Sequence, residues 1–143
     1  MLLSAYEGCA YDVSESAYNT TDASGVDFDN DKLSSIANAK PISGANNSLT
    51  ISNAAKLAEN RGAGWKISTL ESESAMQLLE IVEFGSLNGQ LSLEKGICNI
   101  TNGVSNTYSD NGRRAISYRG VENPWGNIWK MIGNVRVRGD GTQ

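Results

Sequence analysis

Apolar positions change their spacing along the chain, and each change marks an element. Ala75, Leu78, Leu79 and Val82 recur at i, i+3, i+4 and i+7, with Met76, Ile81 and Phe84 widening the stripe. That spacing gathers them on one face and predicts a helix, running to about Phe84, packed against the core. Ser68 and Glu71 stand three apart ahead of it, the arrangement of a capping box, and Gly85 ends it. Glu71, Glu73, Glu80 and Glu83 read as a solvated acidic face rather than paired catalytic carboxylates, because exposure is the usual fate of such residues. The first two also sit where a helix N-terminus favours acids. A shorter helix is predicted over Thr50 to Arg61, with Ser52 as cap, Ala54, Ala55, Leu57 and Ala58 as its apolar side, and Gly62 as its stop. Gly62-Ala63-Gly64 turns a tight corner before Trp65-Lys66-Ile67.

Alternation takes over at both ends of the chain. Leu2 to Val13 sets Tyr6 and Tyr11 among small residues and predicts a strand, or a strand pair bent at Gly8. Near the other end, Ile116, Tyr118 and Val121 alternate with Ser117 and Arg119, a second strand. Asn123-Pro124 then forces an extended or turning backbone, and Ile128 to Ile132 follows as a further strand-like run. Trp65, Tyr118, Trp125 and Trp129 are the expected aromatic core, since large rings bury much area in little chain.

Polar stretches separate these elements. Ser14 to Asp31 contains Asp27, Asp29 and Asp31 at the alternate-acid spacing that opens a calcium loop. The glycine and glutamate such a loop needs at its sixth and twelfth places are Lys32 and Asn38 here, so the stretch reads as a solvated turn. Lys32 to Pro41 reads as a connector, weakly helical or extended, followed by a turn in SGANNS. Ser86 to Thr107 carries Leu91, Leu93, Ile97 and Ile100 between Asn-Gly turns, as short strands or an irregular excursion. Asn99 to Arg114 has the Asn, Ser, Thr and Gly content of an exposed, adaptable loop around a single Tyr108.

Composition narrows the chemistry. The 143 residues fit one domain, long enough to bury a core without staples. The 16 acids against 12 bases leave a net charge of −4, which lacks the basic stripe of a nucleic-acid binder. No stretch approaches the ~20 apolar residues of a membrane span, and Met1-Leu2-Leu3 is too short for a signal peptide, so the chain reads as soluble, without an export signal. There is no histidine, no Gly-x-Ser-x-Gly elbow, no Walker loop and no Gly-x-Gly-x-x-Gly, so no catalytic residue, cofactor or metal is assigned. Cys9 and Cys98 either form one bridge or remain two buried thiols, the commoner fate of isolated small cysteines. Arg138-Gly139-Asp140 spells an adhesion word too short to outweigh chance. Asn19, Asn46 and Asn99 open glycosylation acceptor triplets that matter only in a eukaryotic secretory pathway.

The stretches GAGWKISTLESESAMQLLEIVEFGSLNGQ and ISYRGVENPWGNIWK, with SAYEGCAYDVSESAY and KLSSIANAKP, resemble a family of phage and prophage tail and receptor-binding proteins built on a C-type lectin-like domain. Relatives of that family are the variable proteins diversified by retroelements. The Gly-Asn-Ile-Trp core is also similar to the Gly-Asn-Val-Trp segment of the formylglycine-generating-enzyme superfamily, which shares the fold. The resemblance implies an α+β, C-type lectin-like fold over residues 1–143, with two helices packed on small antiparallel sheets and a loop-rich second half. Relatives commonly continue beyond Gly-Asn-Ile-Trp, so it further implies a domain abbreviated at its C-terminus, completed by partner subunits, or cut from a longer protein.

Function follows the same resemblance: a non-enzymatic virion component, made in the bacterial cytoplasm, that binds a host-surface protein or glycan or other virion subunits. Homo-oligomers are implied, a trimer among them. Ligand display would fall to Asn99, Asn102, Asn106, Tyr108, Asp110, Asn111 and Arg113 of the polar loop. The enzymes resembled use a late cysteine pair, whereas Cys9 and Cys98 stand elsewhere. An enzyme of that superfamily with an altered centre, or a purely structural subunit, is the alternative. Calcium-dependent sugar binding does not carry over, because Glu122-Asn123-Pro124 only permutes one of the lectin words.

Overall fold

Small side chains at Gly8, Cys9 and Ala10 let a central strand be covered closely from both sides. In a computed structural model describing residues 2–94, 96 and 116–135, β1 (Gly8–Asp12) lies between β2 (Ala17–Asn19) and β3 (Lys32–Ser35), antiparallel to both. Tyr11 faces Tyr18 across β1 and β2, their rings edge to face at 5.0 Å. A Cβ on Gly8 would come within 2.7 Å of Leu33 Cδ1, so the glycine marks where Leu33 folds over the strand rather than a bend within it.

The expected connector after Lys32 is therefore strand at its start. It hides from a hydrophobicity reading because two of its four paired residues, Ser34 and Ser35, are polar. Arg61 donates to Ser34 Oγ at 3.0 Å, while Ser35 Oγ accepts from Tyr6 N–H and donates to Tyr6 O.

Helix α1 (Ile51–Arg61) packs on β3 through Ala54, Leu57 and Ala58. Leu57 joins Ala10 and Ile42 in the core, with Val26, Phe28, Leu33 and Leu49 around them. Thr50, not Ser52, caps the helix: its backbone is extended and its side chain accepts from Asn53 N–H at 3.1 Å. A similar shift of the cap recurs at α2 (Leu70–Phe84). There the reciprocal box joins Thr69 to Ser72 rather than Ser68 to Glu71, and Gly85 closes the helix in the left-handed conformation at φ 62°.

The largest departure lies on α2. Its apolar stripe was expected inside, yet Leu78 is 62% and Val82 82% exposed, while Ser72 and Glu80 are the buried residues. The helix packs with the short α3 (Gly89–Ser92), and its last turn meets a small hairpin, Phe84 lying 6.0 Å from the Tyr118 ring. Periodicity fixes that a face exists; which way it turns depends on what the rest of the chain brings to it.

That hairpin, β4 (Ser117–Tyr118) and β5 (Val121–Glu122), turns at Arg119 and Gly120, both at positive φ, 50° and 81°. Two such residues form the tight turn whose twist suits paired strands. Ile128 to Ile132 forms no strand; beyond it Gly133 bridges Thr69 in parallel and donates to Ser68 O at 2.7 Å. The described residues are thus an α+β assembly of small antiparallel sheets and three helices. None of those helices is long and apolar enough to cross a membrane.

Candidate functional site

Two asparagines flank the Pro124-Trp125-Gly126 turn, and both adopt the left-handed backbone that asparagine tolerates: Asn123 at φ 51° and Asn127 at φ 59°. The curl turns both side-chain amides onto one carboxylate, Glu7, which comes from the segment leading into β1. Asn123 Nδ2 donates to Glu7 Oε2 at 3.0 Å, and Asn127 Nδ2 donates to the same oxygen. Glu122 N–H donates to Ala5 O at 2.8 Å, so backbone and side chains together tie the N-terminal segment to the hairpin.

Lys130 completes the cluster. Its ammonium donates to Pro124 O at 3.0 Å, lies 3.9 Å from Glu73, and acts electrostatically on Glu7 and Glu80. Burial is the largest influence on Glu7 and pushes its carboxyl above the usual value. The two asparagine hydrogen bonds and Lys130 pull the other way, and Glu122 adds to the rise. Burial likewise raises Glu80, against Lys130. The predicted acidic face is thus divided. Glu80 is buried; Glu83 stays outside, held below the usual range by hydrogen bonds from Tyr118 Oη (2.8 Å) and Arg119 Nε (3.0 Å).

Trp125 roofs this region between two glycines. Its indole donates to Glu94 O at 3.1 Å. A Cβ on Gly89 would meet Trp125 Cη2 at 2.8 Å, and one on Gly96 would meet the Trp125 carbonyl oxygen at 3.2 Å. Tyr118 is buried and Trp125 half-buried. The other two expected core rings are not inside. Trp65 is 45% exposed beside the α1 corner, with the Arg61 guanidinium 5.3 Å from its ring. Trp129 is 98% exposed: Ile128 and Lys130 on either side are partly buried, and the residue between them points outward.

The acids of the expected calcium spacing also part company. Asp31 is buried and accepts from the Val13 and Asp27 amides, Asp27 accepts from the Asp29 amide and Asn30, and Asp29 pairs with Lys56 at 2.6 Å. The turn is closed on itself rather than solvated throughout, and among the described residues no group of three metal-binding side chains converges. Cys9 is a buried free thiol whose pKa burial pushes up. Of the acceptor asparagines, Asn19 exchanges two hydrogen bonds with Ala23 and Asn46 donates to Asp22.

Cys98, Asn99, the Arg138-Gly139-Asp140 word and the expected ligand-binding residues Asn102, Asn106, Tyr108, Asp110, Asn111 and Arg113 lie outside the described residues. Sequence reasoning did not single out Glu7, Asn127 or Lys130. The Asn-Pro-Trp-Gly-Asn run announces a turn, but a carboxylate more than a hundred positions away leaves no mark on it. No protein-family model matches the chain, and neither does any curated protein or solved structure.

Proposed function

We propose that this chain is a non-enzymatic component of a phage virion, a tail or fibre-tip domain on a C-type lectin-like scaffold. It binds a host-surface protein or glycan, or a neighbouring virion protein. The observation that carries the reading is Trp129, 98% exposed within the Gly-Asn-Ile-Trp segment that resembles the phage family. An indole held in water loses the burial that would favour it, and tryptophan is among the residues that dominate binding energy once a partner covers them.

Binding of the chain to host cells, to a glycan array or to purified particles tests this. Trp129→Ala is expected to weaken the interaction by about 2 kcal/mol, roughly thirtyfold in Kd, without moving the unfolding midpoint. Absence of binding in every format, together with absence of the chain from particles, would sink the proposal. A second reading, a structural subunit contacting its own copies, is favoured by the exposed Leu78 and Val82. Those side chains buried between copies in a particle reconstruction would decide for it.

A further inference from the structure

Glu7 uses its two oxygens unequally. Oε2 accepts from both Asn123 and Asn127, whereas Oε1 is buried and has no hydrogen-bond partner among the described residues. Asn123 is 0% exposed and repeats the asymmetry: its Nδ2 donates to Glu7, and its buried Oδ1 has no partner among the described residues. An ionised carboxylate is an acceptor on both oxygens, and an amide oxygen is an acceptor too, so an ionised Glu7 leaves two buried acceptors with nothing to accept.

One proton resolves both. On Oε1 it makes that oxygen a donor, and Asn123 Oδ1 is the acceptor within the same pair of groups. Oε2 is then a carbonyl oxygen whose two lone pairs are already taken by the two asparagines. We propose that Glu7 is protonated in the folded chain and clasps Asn123 through a paired acid–amide ring, a proton-operated latch between the N-terminal segment and the Trp125 turn.

Three influences act on the carboxyl besides the asparagines. Burial, the largest, and the neighbouring Glu122 favour the proton; Lys130 opposes it. When the pH rises the proton leaves to solvent and the bond to Asn123 Oδ1 is lost, while the donors on Oε2 and the Glu122 to Ala5 backbone bond remain. The linkage sign follows from a pKa raised on folding. The stabilisation is complete below the ordinary glutamate value of 4.5 and fades as the pH climbs through the raised one.

Thermal unfolding of the full chain and of Glu7→Gln, from about pH 4 to about pH 9, tests the latch. The glutamine amide takes the place of the acid hydroxyl and cannot ionise. It should therefore remove the Glu7 share of the decline, leaving the share of Glu80, whose carboxyl burial also raises, and place the variant above the wild type at the alkaline end. Its folding constant should gain about tenfold for each unit by which folding raises the Glu7 pKa. A Glu7→Gln chain that is less stable than wild type at neutral pH, keeps the same decline, or fails to fold overturns the proposal. So does a Glu7 carboxyl carbon that titrates by NMR at or below 4.5. Calcium or sodium ions that raise the wild-type midpoint at alkaline pH, but not that of Glu7→Gln, would assign the two oxygens to a cation and overturn it as well.

Discussion

Replacing Asp22 with alanine is expected to destabilise the chain by about 3–4 kcal/mol, lowering the unfolding midpoint by about 10 °C. Asp22 is 2% exposed and sits at φ 57°, which points its carboxylate into the turn that follows β3. There it accepts from Ser43 N–H at 2.9 Å, Ser43 Oγ–H, Asn46 Nδ2 at 3.1 Å and Asn47 Nδ2 at 3.1 Å. Asn47 reaches in turn to Ala23 O. Bonds to a charged acceptor contribute more than neutral ones, and deleting the acceptor strands donors that cannot all reach water. Asp22→Asn keeps the shape but sets an NH2 group against other donors, so it should recover only part of the loss. Urea unfolding at neutral pH measures both; a loss below about 1 kcal/mol for Asp22→Ala would show that the donors find other partners.

Leu57→Ala should cost about 3 kcal/mol, while Leu78→Ala should cost less than about 0.5 kcal/mol. Leu57 is fully buried on α1 against Ala10 and Ile42, so truncation leaves a cavity lined by Ala10 of β1, Leu33 of β3 and Ile42 beyond it. Leu78 stands out in solvent on α2, where alanine removes little buried area and improves helix propensity slightly. By periodicity the two leucines look alike, each on the apolar side of a predicted helix. Denaturant titration of the pair therefore asks directly which helix face is inside. Equal losses would mean that α2 buries its stripe in solution.

The α2 stripe also shows what a chain read alone can miss. Both long helices and the N-terminal strand are legible because each is written within about a dozen neighbouring residues, by period, cap or glycine, whereas the single strand expected over Ile116 to Val121 is a hairpin that turns at Arg119 and Gly120. The caps shift by one or two residues because Ser and Thr crowd both helix starts, and backbone conformation chooses among them. β3 is hard to read because two of its four residues are serines, and the large ring of Trp129 suggests core although its neighbours take the inward direction.

The Glu7 cluster belongs to another category. The asparagine-rich turn around Trp125 could be expected to curl, since asparagine accepts positive φ cheaply and proline forbids helix behind it. The convergence of Asn123 and Asn127 on a carboxylate from the start of the chain could not, and neither could the burial of Glu80 in place of Leu78 and Val82. Local backbone preference and periodicity are properties of a short window, so the order of residues carries them. Which face turns inward, and which distant acid meets which amide, depends on relative placement of elements joined by long polar connections, and only the assembled fold sets that distance.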